Sequence, residues 1–284
     1  MALERVSKIL EMAETANTSA VALICIDYNM VYSAITVAEE LQKPIIIMLL
    51  PEHSEVNNVS GVAGFAAMVK ELAGRVEAPI GLHLDHCSDY KYIITAIQNG
   101  FTSVMIDGSM YSFEENSSIS KKVAETAHIL GADVEAELGC IGLANDGVKK
   151  DRDILTKPEE AAKFCEETGI DYLTIAIGSA HGAYVEIPKL DIERLEAIKQ
   201  AIGKPLVLHG GSGIPHEQLE IAFSKGINKF NLGTEYLECY YKAAEEYIDS
   251  LKNDNSPLKI LGMPKYVQGK MKEYLREKMK ISKF

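Results

Sequence analysis

The chain has 284 residues, 47% hydrophobic and 25% charged, which is apolar content enough for a large buried core. A formal net charge of -12 argues against nucleic acid as the main partner, since phosphate backbones are bound by basic surfaces. No apolar run approaches the roughly 18 residues of a membrane span, Met1-Ala2-Leu3-Glu4-Arg5 opens no signal segment, and the five cysteines lack paired spacing, so a reduced cytoplasmic protein is expected.

Helical spacing of Leu3, Val6, Ile9, Leu10 and Ala13 predicts a first helix over 2–16. Short apolar runs of buried-strand character then recur at 21–26, 44–50, 79–84, 102–106, 132–138, 172–177, 205–208 and 227–232. Amphipathic stretches separate them near 30–41, 60–74, 89–99, 114–130, 158–168, 191–201, 215–225 and 235–252. Apolar strands alternating with helices imply a parallel sheet covered on its faces. Eight such units predict an α/β fold, a (β/α)8 TIM barrel forming a single domain over 1–284, with extra N-terminal and C-terminal helices. A doubly wound open sheet competes, but no glycine-rich dinucleotide fingerprint follows the first strand. Pro158 with Glu159 and Glu160, and also Pro215, fit first helical turns; Gly74, Gly100, Gly131, Gly169 and Gly226 stand where helices should stop. The stretch 139–157 reads as a long loop of the lid type, and the basic tail over 253–284 as a helix packed on the barrel or another subunit.

Chemistry in such a barrel sits at the carboxyl ends of its strands. Three ends carry histidine: Gly81-Leu82-His83-Leu84-Asp85-His86, Gly178-Ser179-Ala180-His181-Gly182 and His209-Gly210-Gly211-Ser212. His86, His181 and His209 would meet at one rim, and three imidazoles with a fourth position open suit catalytic Zn2+. Three unrelated loop histidines are the alternative. His83 shares a strand face with Asp85 and is expected to pack or hydrogen-bond nearby. His128 reads as structural, His216 as solvated, and His53 as lacking a catalytic partner. Asp85 could exchange a proton with a substrate hydroxyl held at the metal. Asp107 and Glu137 end the next two strands and suit either a supporting role, an alternate or second metal position, or a buried structural pair. The segments from His209 to Ser212 and Phe230-Asn231-Leu232-Gly233-Thr234-Glu235 follow the last two strands, where barrel phosphate sites recur. Their glycines expose backbone N–H groups, and Ser212 and Thr234 add hydroxyls.

Together His83-Leu84-Asp85-His86, Glu135-Ala136-Glu137-Leu138-Gly139, Gly178-Ser179-Ala180-His181-Gly182, His209-Gly210-Gly211-Ser212 and Asn231-Leu232-Gly233-Thr234 resemble the class II, metal-dependent fructose- and tagatose-bisphosphate aldolases over nearly the whole chain. The resemblance implies a lyase that splits a ketose (bis)phosphate of the fructose- or tagatose-1,6-bisphosphate type into dihydroxyacetone phosphate and an aldehyde. It implies zinc on His86, His181 and His209, and Asp85 as the group managing the proton on the C4 oxygen. Asn231 would hydrogen-bond the enediolate, and Gly182, Gly210, Gly211, Ser212, Asn231, Leu232, Gly233 and Thr234 would hold the donor phosphate. A monovalent cation (Na+ or K+) near that phosphate and a homodimer or homotetramer are also implied, with a small sugar phosphate, rather than nucleic acid or membrane, as partner.

Four departures concern the aldehyde half. Ile24 stands where the family usually has an Asn, and Met48-Leu49-Leu50-Pro51 where it has a serine. Leu143-Ala144-Asn145-Asp146 replaces a loop stretch carrying a Glu base, so Asp146 or Glu137 would have to substitute. Gly233 stands where fructose-specific members have Asp. An aldolase for a different ketose 1-phosphate with a less polar aldehyde half is therefore the alternative. A zinc hydrolase would want His-x-His in the first strand, which reads Leu23-Ile24-Cys25-Ile26-Asp27. A non-catalytic relative serving as a sensor or partner subunit would have no need of Asp85 and the three histidines.

Overall fold

The chain enters through a two-residue strand, β1 (Leu3–Glu4), and helix α1 (Val6–Thr15). The computed structural model describes residues 2–56, 61–144, 155–251 and 256–284. In β2 (Ala20–Ile24) Ala20 and Ala22 turn toward α1, while Val21 and Leu23 join the apolar layer beneath the outer helices. β3 (Ile45–Leu49) divides the same way, Ile46 and Met48 against Ile45, Ile47 and Leu49. β4 (Ile80–Cys87), β5 (Ser103–Ile106), β6 (Asp133–Leu138), β7 (Tyr172–Ile175), β8 (Leu206–Leu208) and β9 (Ile227–Leu232) follow, every neighbouring pair parallel. β9 returns to β2 with Phe230 opposite Val21, and β4 pairs with β5, so β2 to β9 close into the expected (β/α)8 barrel.

The first helix begins later than its spacing predicted. Leu3 is not helical: it pairs with Ile80, on the part of β4 that β5 does not reach. Val6, Ile9 and Leu10 then plug the amino-terminal mouth of the barrel against Ala22, Ile46 and Val207. Gly81 makes room for that plug, since a Cβ there would lie 2.9 Å from Val6 and 3.2 Å from Ile46. Among the described residues no helix is long and apolar enough to cross a membrane.

Outside the sheet, α2 (Tyr28–Leu41), α4 (Val62–Ala73), α5 (Tyr90–Gln98), α6 (Phe113–Ile129), α7 (Pro158–Thr168), α8 (Ile192–Ile202), α9 (His216–Ser224) and α10 (Thr234–Ser250) follow the predicted order. The patterning did not predict α3 (Pro51–Val56), one and a half turns that start directly above β3. Pro158 opens α7 with Glu159 and Glu160 in its first turn, while Pro215 lies just outside α9 as its cap. The tail forms α11 (Met263–Lys278), whose Val267, Met271 and Leu275 are buried. It is tied to α2 by Arg276–Glu40 (2.8 Å) and to α10 by Lys278–Glu235 (2.6 Å) and Tyr274 stacked on Tyr236.

Candidate active site

Above the apolar plug, a cluster of polar residues faces into the barrel. Lys229 Nζ lies 2.8 Å from Glu135 Oε2, and both side chains are fully buried. Glu135 Oε1 accepts from Thr174 Oγ1 (2.6 Å) and from His209 Nε2 (2.8 Å). His83 Nδ1 meets Ser103 Oγ at 2.7 Å, and its Nε2 lies 3.5 Å from Glu135. His83 is therefore a packed, hydrogen-bonded neighbour of the site, as its strand position predicted. Burial, reinforced by Lys229, pushes it down to about 3, so it stays neutral.

At the carboxyl rim β4 carries an extra residue relative to β5 between Leu84 and Cys87, and His86 has φ 39°, a left-handed backbone uncommon outside glycine. The irregularity has a purpose legible in the contacts. Regular alternation would send consecutive residues to opposite faces; here Asp85 and His86 both address the cavity. The predicted strand stopped at 84, whereas β4 runs on to Cys87 and holds both residues within it.

His181 is placed differently. β7 ends at Ile175, short of the predicted 177, and His181 is instead pinned to the segment after β6: its N–H donates to the Gly142 carbonyl (2.8 Å) and its carbonyl accepts from Ala144 (2.9 Å). His209 directly follows β8. One ring nitrogen from each of His86, His181 and His209 falls within 4.8 Å of the others.

The donor set fits a divalent ion. His86 Nδ1 is 2.8 Å from Asp107 Oδ2, and His209 gives its Nε2 to Glu135, which turns His86 Nε2 and His209 Nδ1 toward each other at 2.8 Å. Imidazoles braced through one nitrogen by a carboxylate, with the other nitrogen aimed at a common point, are the usual support for a bound metal. Among the described residues His181 Nε2 is buried without a hydrogen-bond partner. Burial is the main influence holding His181 down to about 4, with His209 and His86 adding to it, so a lone pair is available. Burial also acts to lower His86, but Asp85 and the bond to Asp107 overcome it and raise it to about 9.

The three nearby acids differ in state. Burial acts to raise Asp85, yet His86, His209 and Lys229 hold it below the ordinary carboxylate value, and Asn231 Nδ2 donates to its Oδ1 at 3.3 Å. Glu137 is pushed up to about 8, chiefly by burial; its Oε1 accepts from the Ile141 N–H (3.1 Å), and among the described residues its Oε2 has no hydrogen-bond partner. Asp107 is held well below its usual range by His86 and Ser109 against the effect of burial.

These groups line a cavity of about 400 Å3, ample for a phosphorylated sugar. Gly182, Gly210, Gly211, Ser212, Asn231, Gly233 and Thr234 all face it, whereas the Leu232 side chain points away into the buried core. Gly210 has φ 64°, and a Cβ on it would strike the Ala180 carbonyl; one on Gly211 would strike the Phe230 ring. The turn thus requires both glycines. α10 begins at Thr234, so its positive N-terminal end opens on the same side. The cavity also includes Glu52 and His53 of α3, and among the described residues buried His53 Nδ1 has no hydrogen-bond partner. The sequence reads His53 as lacking a catalytic partner, and the helix that brings it to the cavity is not foreseen there. His128 pairs with Asp171 (2.9 Å) on the outside, and His216 is exposed near Glu220, as predicted. Asn145 and Asp146 lie outside the described residues.

The chain matches the family model for class II fructose-bisphosphate aldolase over residues 4–284. Over 247 residues it is 40% identical to a fructose-bisphosphate aldolase of Geobacillus stearothermophilus, covering 84% of each chain. It is 41% identical over 223 residues to a fructose-bisphosphate aldolase of Staphylococcus epidermidis, covering 75% of this chain and 78% of the other. Among solved structures, the YdjI aldolase of Escherichia coli K12 matches with a TM-score of 0.86 at 30% identity, across 99% of this chain and 97% of its own.

Proposed function

Because the chain belongs to the class II fructose-bisphosphate aldolase family, and so to the aldehyde-lyases, we propose that it is a zinc-dependent aldolase splitting a ketose phosphate into dihydroxyacetone phosphate and an aldehyde. The supporting observation is the meeting of His86, His181 and His209 from three separate parts of the chain, with Asp85 alongside. Those three imidazoles would hold the metal. A bound divalent ion there supplies Lewis acidity, which stabilises the negative charge left on the ketone half when the carbon–carbon bond breaks.

The remaining steps belong to the chain's own groups. Asp85, ionised at neutral pH, takes the proton from the C4 hydroxyl as the C3–C4 bond breaks and returns it in condensation. Asn231 orients that carboxylate through one amide hydrogen and keeps a second for a substrate oxygen. Gly210, Gly211, Ser212 and the start of α10 at Gly233 and Thr234 receive the phosphate of the ketone half. Glu137, which keeps its proton at neutral pH, is suited to give one rather than to act as a second anion.

Metal analysis of the purified protein should find one zinc per chain. Chelation should abolish cleavage and zinc should restore it; cleavage that survives complete metal removal would exclude this function. Ser212→Ala should weaken binding of dihydroxyacetone phosphate by about 1.5–3 kcal/mol, the scale of a hydrogen bond to a charged group, measured by calorimetry. An unchanged dissociation constant would move the phosphate elsewhere.

A further inference from the structure

The aldolase function proposed above leaves open what the far end of the substrate carries, and the rim over β2 and β3 bears on it. Around the barrel the order β9, β2, β3, β4 sets these two strand ends between Asn231 on β9 and Asp85 on β4. Whatever is attached beyond the carbon whose oxygen Asp85 serves therefore lies over Ile24 and Leu50, which both line the cavity. Ile24 fills the space that Gly233 leaves, since a Cβ on that glycine would stand 2.8 Å from the Ile24 Cδ1. This part of the floor is apolar by construction.

Its edge is acidic. α3 begins at the rim, where a helix end would otherwise favour an anion, but Pro51 brings no N–H and Glu52 puts a carboxylate in the first turn. Among the described residues lining the cavity, the ionisable side chains other than histidine and cysteine are Glu52, Asp85, Asp107 and Glu137, all acids. A phosphate dianion at this end would lose water against Ile24 and Leu50 and face the Glu52 carboxylate. The opposite end, with its glycine turn, Ser212 and the start of α10, is built the other way.

We infer that the enzyme takes ketose 1-phosphates whose far end is uncharged, Ile24 and Leu50 packing against that end and Glu52 excluding a second phosphate. The test runs in the condensation direction with zinc-loaded full-length protein and dihydroxyacetone phosphate, comparing glycolaldehyde, glyceraldehyde and lactaldehyde with glyceraldehyde 3-phosphate. At least one unphosphorylated aldehyde should show a kcat/KM about tenfold or more above that of the phosphorylated one. Glu52→Gln should narrow the ratio by about fivefold and Glu52→Lys further, through KM for the phosphorylated aldehyde, as expected for relief of like-charge opposition. Raised salt should narrow it in the unaltered protein and much less in Glu52→Gln. Preference for glyceraldehyde 3-phosphate, or a ratio that neither substitution moves, overturns the inference alone and directs attention to Lys149, Lys150 and Arg152, outside the described residues. No carbon–carbon bond formation with any aldehyde overturns the aldolase function and this inference with it.

Discussion

Replacing Asp85 by asparagine is expected to lower kcat by about 10^2- to 10^4-fold, the range for losing a positioned acid–base group, while one metal per chain is retained. The substitution keeps the shape of the side chain and its contact with Asn231 but removes the group that can hold the C4 proton. Asp85 is almost wholly buried, so solvent offers no ready replacement at that atom. The loss should fall on kcat and kcat/KM together, because the proton moves only in the transition state. Glu137→Gln should lower kcat as well, because it removes the carboxyl group suited to give a proton. Glu137 shares the cavity and is also buried, but its pKa, pushed up to about 8, gives it the opposite protonation state at neutral pH. Two carboxyl groups held apart in this way divide the work of acid and base. If Asp85→Asn turns over within tenfold of the unaltered protein, Asp85 is not the proton carrier.

Much of this site could be read from residue order, because a parallel barrel sends every strand's carboxyl end to one rim. Once eight apolar runs alternate with helices, His86, His181 and His209 must lie on the same side, and only their aim is left open. That aim depends on backbone detail with no pattern in sequence: the extra residue in β4 at His86 and the pairing of Gly142 with His181. The start of the first helix was misplaced because Leu3 fits both the helical spacing of α1 and a strand edge, and the edge left open beside β4 won. α3 was missed since six residues are too few for a periodicity, and with it went the location of His53 and Glu52. One signal was present and passed over. Lys229 stands in the middle of an apolar strand, a position that a lysine does not hold without a buried acid.

That lysine makes the second large expected effect. Lys229→Met should destabilise the fold by about 3–5 kcal/mol in urea unfolding, the scale for removing one partner of a buried ion pair. Methionine fills much the same volume, so the cost comes from Glu135, left ionised in the barrel without its cation. Burial alone would raise Glu135; Lys229 first, then His83 and His209, hold it well below its ordinary value. The sign follows from that depression. Stability from the ionised form is complete above the unfolded carboxylate value of about 4.5 and is lost as pH falls through the lower folded value, so the deficit of Lys229→Met should shrink in acid. Lys229→Met combined with Glu135→Gln should recover much of the loss by removing the stranded charge. It should not recover metal affinity, because Glu135 also fixes His209 through Nε2, and losing such a support weakens binding by about 10- to 100-fold. If Lys229→Met costs under about 1 kcal/mol at neutral pH, the ion pair contributes nothing that well-packed carbon cannot replace.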